Sequence, residues 1–72
     1  MDVQRLVSMA NDIGNFFASA ADRDAGIAGV ADHLRKFWDP RMRTQLIAHL
    51  QSGGAGLSDI ARAGVEQLET KG

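Results

Sequence analysis

Cysteine is absent from the 72 residues. Its absence excludes disulfides, thiolate zinc sites, iron–sulfur ligation and a cysteine nucleophile. No stretch approaches the roughly 18 apolar residues of a membrane-spanning helix. The opening MDVQRLVSMANDIG lacks a positively charged start followed by an unbroken apolar run, so no secretory segment is expected. Charge of one sign is also missing. The formal net charge is −1, which gives no global attraction to nucleic acid or to an anionic membrane, so any electrostatic recognition has to be local. A cytoplasmic protein fits these absences.

The length allows one domain, residues 1–72. A chain this short removes only about 60% of its unfolded-state surface from water. With neither disulfide nor thiolate metal site to compensate, it either packs unusually well or gains stability from a partner.

What is present is helical periodicity. From about Asp2 to Ala20, Val3, Leu6, Val7, Met9, Ala10, Ile13, Phe16, Phe17 and Ala20 share one side at 100° per residue. That apolar face spans about 180°, whereas a surface helix needs only about 100°. Met9 and Phe16 lie at one edge and Val7 at the other. Two explanations fit: a central helix contacted by several neighbours, or an edge left for another protein.

Asp22 can cap a second helix running to about Phe37, with Ile27, Val30, Ala31, Leu34 and Phe37 inward. Gly26 and Gly29 each cost about 1 kcal/mol against Ala in a helix. They imply either a close helix crossing or a later helix start. Asp39-Pro40 is the clearest local signal: an N-cap carboxylate followed by a proline suited to the first helical position. The third helix then carries Met42, Leu46, Ile47 and Leu50 to about Gln51, and Gly53 is the candidate left-handed cap. Ser58 can cap a fourth helix through about Leu68 with Ile60, Ala61, Val65 and Leu68 inward, and the terminal TKG is expected to fray. The expectation is an all-α fold, a small bundle of three to four short helices.

No catalytic, cofactor-binding or metal site is expected. GGAG has no Lys-Ser or Lys-Thr after it and no strand before it, so it reads as a helix stop rather than a phosphate loop. His33 and His49 fall on separate helices without a ligand pattern around them. No serine stands in a context that suggests activation by histidine.

The segment HLRKFWDPRMR, residues 33–43, is different. It holds four of the eight basic residues together with the only Trp and the only Pro. Lys36 has Asp32 four residues before it as a partner. Arg41 has no acidic neighbour at helical spacing, and Asp39 is wanted as the cap. Arg41 and Arg43 also occupy a first helical turn, where the dipole disfavours a cation by about 0.3–1 kcal/mol. Residues that break a local rule without local compensation are candidate functional residues. Arginine forks beside aromatics suit an anionic partner. The plainer alternative is an exposed basic corner in which Phe37 and Trp38 anchor two helices.

The run VADHLRKFWDPRMR, followed by LIAHLQSGGAGL and preceded by LVSMANDIGNFF, resembles the small delta subunit of soluble, NAD-dependent, molybdenum-containing formate dehydrogenases. The resemblance covers nearly the whole chain. It implies a non-catalytic accessory subunit of a cytoplasmic hetero-oligomeric complex that oxidises formate and reduces NAD. Molybdenum with pyranopterin guanine dinucleotide, iron–sulfur clusters and FMN would belong to partner subunits. The implied role is assembly, stability or cofactor retention in the large catalytic subunit. The candidate docking residues are Arg35, Trp38, Arg41 and Arg43 at the corner, with Met9 and Phe16 on the first helix. Two other readings stand beside this one: a small helical nucleic-acid-binding module, and a transient maturation chaperone of the same enzyme.

Overall fold

Asp2, Asp22 and Asp39 each precede an apolar-periodic run, and each becomes an N-cap. In the computed structural model, which describes residues 2–71, their carboxylates accept from the amides of Gln4 at 3.1 Å, Asp24 at 3.1 Å and Met42 at 3.0 Å. Ser58 does the same more weakly, accepting from Ala61 N at 3.3 Å. Such caps stabilise a helix by about 1 kcal/mol each. The helices they open are α1 (Val3–Phe17), α2 (Arg23–Phe37), α3 (Pro40–Gln51) and α4 (Asp59–Lys71). Every described residue outside them is turn or loop, and the fold is all-α.

Two boundaries differ from expectation. α1 stops at Phe17 rather than Ala20. The chain has to reverse before Asp22, whose capping role requires extended backbone, so Ala18–Ala21 form the turn and stay exposed. At the other end, α4 continues through Thr70 to Lys71 where fraying was expected, with the Thr70 hydroxyl donating to Glu66 O at 2.8 Å. Gly72, the last residue of that expectation, lies outside the described residues.

The core is built from Leu6 and Ala10 of α1, Val30, Ala31 and Leu34 of α2, Trp38, Leu46 of α3, and Ala61, Val65 and Leu68 of α4. α2 and α4 share the most extensive contact. Gly64 makes it possible, because a Cβ there would lie 2.4 Å from Val30 Cγ1. Gly26 and Gly29 sit inside α2, so of their two explanations the close crossing is the one realised. A Cβ at Gly26 would meet the Phe17 carbonyl at 2.8 Å, and one at Gly29 the Phe17 ring at 2.5 Å.

α1 touches all three other helices. That contact accounts for most of its broad apolar face: Leu6, Val7 and Ala10 are buried, while Met9, Ile13 and Phe17 are partly buried against the core. Phe16 is left out, 75% exposed. The end of α3 is closed by a Schellman arrangement, with Gly53 N donating to Leu50 O at 3.0 Å and Gly54 N to His49 O at 2.9 Å. Gly53 has φ +120°, so the left-handed cap falls on the expected residue.

Candidate docking surface

The α2–α3 corner is made by two residues, Trp38 and Asp39, both in extended backbone. Pro40 disfavours helical geometry at Asp39 and so ends α2 at Phe37. Trp38 then turns inward and is only 6% exposed. The docking role expected of Trp38 therefore has no surface to act through, and the residue is the apolar anchor of the corner.

Arg43 resolves its own rule-breaking by reaching backwards. Its Nη1 donates to the carbonyls of Leu34 at 3.4 Å, Arg35 at 3.0 Å and Trp38. The side chain starts at the positive end of α3, where a cation is disfavoured, but its charge sits over the negative end of α2, where a cation is favoured. The Arg35 carbonyl in the last turn of α2 gains a charged donor, shared with the carbonyls of Leu34 and Trp38, and such bonds are worth about 1.5–3 kcal/mol when sheltered. Sequence spacing could not reveal this compensation, because it crosses from one helix to another. Arg43 belongs first to the fold.

The other basic residues of the 33–43 segment face outward. Lys36 pairs with Asp32 at 3.0 Å as its spacing predicted, and both side chains are more than half exposed. Arg35 and Arg41 are exposed, and neither makes an ion pair among the described residues. Arg35 borders an open groove of about 570 Å³ whose lining also includes Arg43, Ile47, Gln51, Leu68 and Glu69. Across that groove Gln51 Nε2 donates to Glu69 Oε2 at 2.6 Å.

Phe37 was expected on the inward stripe of α2, and the plainer alternative paired it with Trp38 as an anchor; it is 73% exposed instead. The reason is angular. Measured from the mean direction of Ile27, Val30, Ala31 and Leu34, a residue at position 38 lies about 30° away and one at 37 about 70° away. Trp38 takes the core position and Phe37 is displaced to the edge, its ring tilted against His33 at 4.7 Å between centroids. That angular difference was the available signal for a surface residue that sequence reasoning missed. Among the candidate docking residues on α1, Phe16 is exposed and Met9 half-buried. The structure thus keeps Arg35, Arg41 and Phe16 on the surface, adds Phe37, and withdraws Trp38 and most of Arg43.

Among the described residues, no three His, Cys, Asp or Glu side chains gather closely enough to hold a metal ion. The two histidines have structural neighbours: His33 has Phe37, and His49 Nε2 donates to Ala55 O at 2.8 Å. No described helix is long and apolar enough to cross a membrane. What stands out on this surface is two phenylalanines and a cationic corner, the chemistry of an interface.

A family model described as NADH-dependent formate dehydrogenase delta subunit FdsD matches residues 5–65. The chain belongs to the FdsD family. The match runs from the first turn of α1 to Val65 in the core of α4, so it takes in the whole α2–α3 corner and both exposed phenylalanines of this FdsD chain. No curated protein and no solved structure matches it.

Proposed function

We propose that this FdsD chain is a non-catalytic accessory subunit of a cytoplasmic formate dehydrogenase, docked on the molybdenum-bearing catalytic subunit and supporting its assembly, stability or cofactor retention. The observation that carries this reading is the match to a delta-subunit family across almost the entire domain. The surface supports it. A small, thin-cored fold that leaves Phe16 and Phe37 about three-quarters exposed has apolar area to cover, and Arg35 and Arg41 offer cations to an acidic partner.

Molybdenum with its pyranopterin, the iron–sulfur clusters and FMN are assigned to the partner subunits. The chain has no cysteine to ligate a cluster, and among its described residues no three His, Cys, Asp or Glu gather as a metal group, which supports that assignment. The chain acts by binding.

The deciding experiment is co-purification of the tagged chain with the catalytic subunit, followed by the molybdenum content and formate-dependent NAD reduction of enzyme made with and without it. The expected result is a stable complex and a loss of molybdenum or of assembled enzyme when the chain is missing. Full molybdenum loading and an intact complex without it would sink the proposal. Recovery of the chain only with immature, molybdenum-poor catalytic subunit would instead mark it as a transient maturation chaperone.

A further inference from the structure

The two exposed phenylalanines belong to one continuous feature. Gly29, His33 and Phe37 follow at i, i+4 and i+8, a spacing that keeps them along one flank of α2. The Phe17 ring lies over Gly29, at 2.5 Å from where a Cβ would stand. Phe16 meets Phe17 edge-to-face with centroids 5.0 Å apart, and His33 meets Phe37 at 4.7 Å. The result is an aromatic ridge from the end of α1 along α2: Phe16, Phe17, His33, Phe37. Its inner members are half-buried and its two ends protrude.

The ridge is charged differently at its two ends. Near Phe37 in the chain stand Lys36, whose charge is met by Asp32, and, past the Asp39 cap, Arg41, which makes no ion pair among the described residues; four residues before Phe16 on α1 stands the exposed Asp12. A protruding apolar ridge needs a groove. One open groove on the chain itself carries two cations, Arg35 and Arg43, against a single carboxylate, Glu69, that already accepts from Gln51, so a second copy offers a poor seat there for the cationic end.

Resting on the docking reading above, we propose that this ridge is the part of the chain that enters the catalytic subunit. It occupies an apolar groove there, with Phe16 and Phe37 as anchors and an acidic group of the partner beside Arg41. Helix-in-groove recognition of this kind concentrates affinity in a few anchors. The charge asymmetry sets which way round the ridge lies, because a carboxylate of the partner is favoured at the Phe37 end and repelled near Asp12.

The test is affinity for the catalytic subunit, measured by titration of the full chain and its variants, with circular dichroism and sedimentation on each free chain. Phe16→Ala and Phe37→Ala should each weaken binding by about thirty-fold, as anchor truncations do. Helicity should persist, since both rings are exposed. Arg41→Glu should weaken binding less, and its effect should shrink as salt rises. Glu66→Gln, exposed on α4 and not part of the ridge, should change nothing.

If the unmodified chain fails to bind the catalytic subunit, the docking reading falls and the ridge assignment with it. If the unmodified chain binds and both phenylalanine variants bind equally well, only the ridge assignment falls. A chain that sediments as a dimer, becomes monomeric on Phe37→Ala and still binds the catalytic subunit would overturn it too, making the ridge a seam between copies.

Discussion

The α2–α3 corner and the α3–α4 turn meet the same need by different means. In each, an arginine of the following helix reaches back to carbonyls: Arg43 to those of Leu34, Arg35 and Trp38, and Arg62 to Gly53 at 2.7 Å and Gly54 at 3.2 Å. The first corner is two residues long and is driven by burial of Trp38. The second runs through residues 52–58, has three glycines at positive φ and holds no buried large side chain. Its order comes from a distant residue. Asn11 of α1 donates to Gly56 O and accepts from Ser58 N, both at 2.9 Å. A short corner with an apolar anchor is nearly self-sufficient, whereas a long glycine turn needs polar contacts from elsewhere in the fold.

Trp38→Ala gives the largest expected effect. Emptying a buried tryptophan site typically costs about 3–5 kcal/mol, which in so small a domain is most of the stability. Thermal melts should show the helical signal lost as a whole. Melting confined to α3 would mean that Trp38 anchors one helix rather than the bundle.

Asn11→Ala comes next, at about 2 kcal/mol, from two lost hydrogen bonds at a partly sheltered site. Hydrogen exchange should accelerate first in the α3–α4 turn, with the α2–α3 corner protected as before. Equal acceleration at both corners would erase the distinction between them.

Arg43→Ala should destabilise by about 1–2 kcal/mol, because the last carbonyls of α2 lose a charged donor in a half-exposed setting. Arg41→Ala should stay within about 0.5 kcal/mol, as an exposed residue without partners does. Chemical denaturation of the two single variants gives the sharpest contrast available, since the residues are two apart and equally misplaced by the dipole rule. Equal effects would show that Arg43 does not clamp α2.

Asp39→Ala should cost about 1 kcal/mol from loss of one N-cap. Denaturation that leaves stability unchanged would mean that Pro40 alone starts α3.

The helices were legible because their signals are local. The caps at Asp22, Asp39 and Ser58, the stop at Gly53 and the ion pair Asp32–Lys36 all act within four residues. The family, too, could be recognised in the central run. The site was only half legible. Arg41 and Phe16 are surface residues as read, but Arg43 and Phe37 exchanged roles with expectation: the arginine serves the fold and the phenylalanine faces outward.

Sequence alone determined where four helices start, which stripe of each is apolar, and that no cysteine is available as a ligand. These follow from periodicity, caps and composition, which need no knowledge of the neighbours. Tertiary structure decided the rest. Only the approach of α2 to α3 shows that Arg43 has carbonyls to bind, and only the reach of α1 to residues 56–58 shows what orders the glycine turn. Only the choice of Trp38 over Phe37 for one core position leaves a phenylalanine in solvent at the end of an aromatic ridge. Each of these is a contact between elements, and a one-dimensional pattern does not contain the distance across which such contacts form.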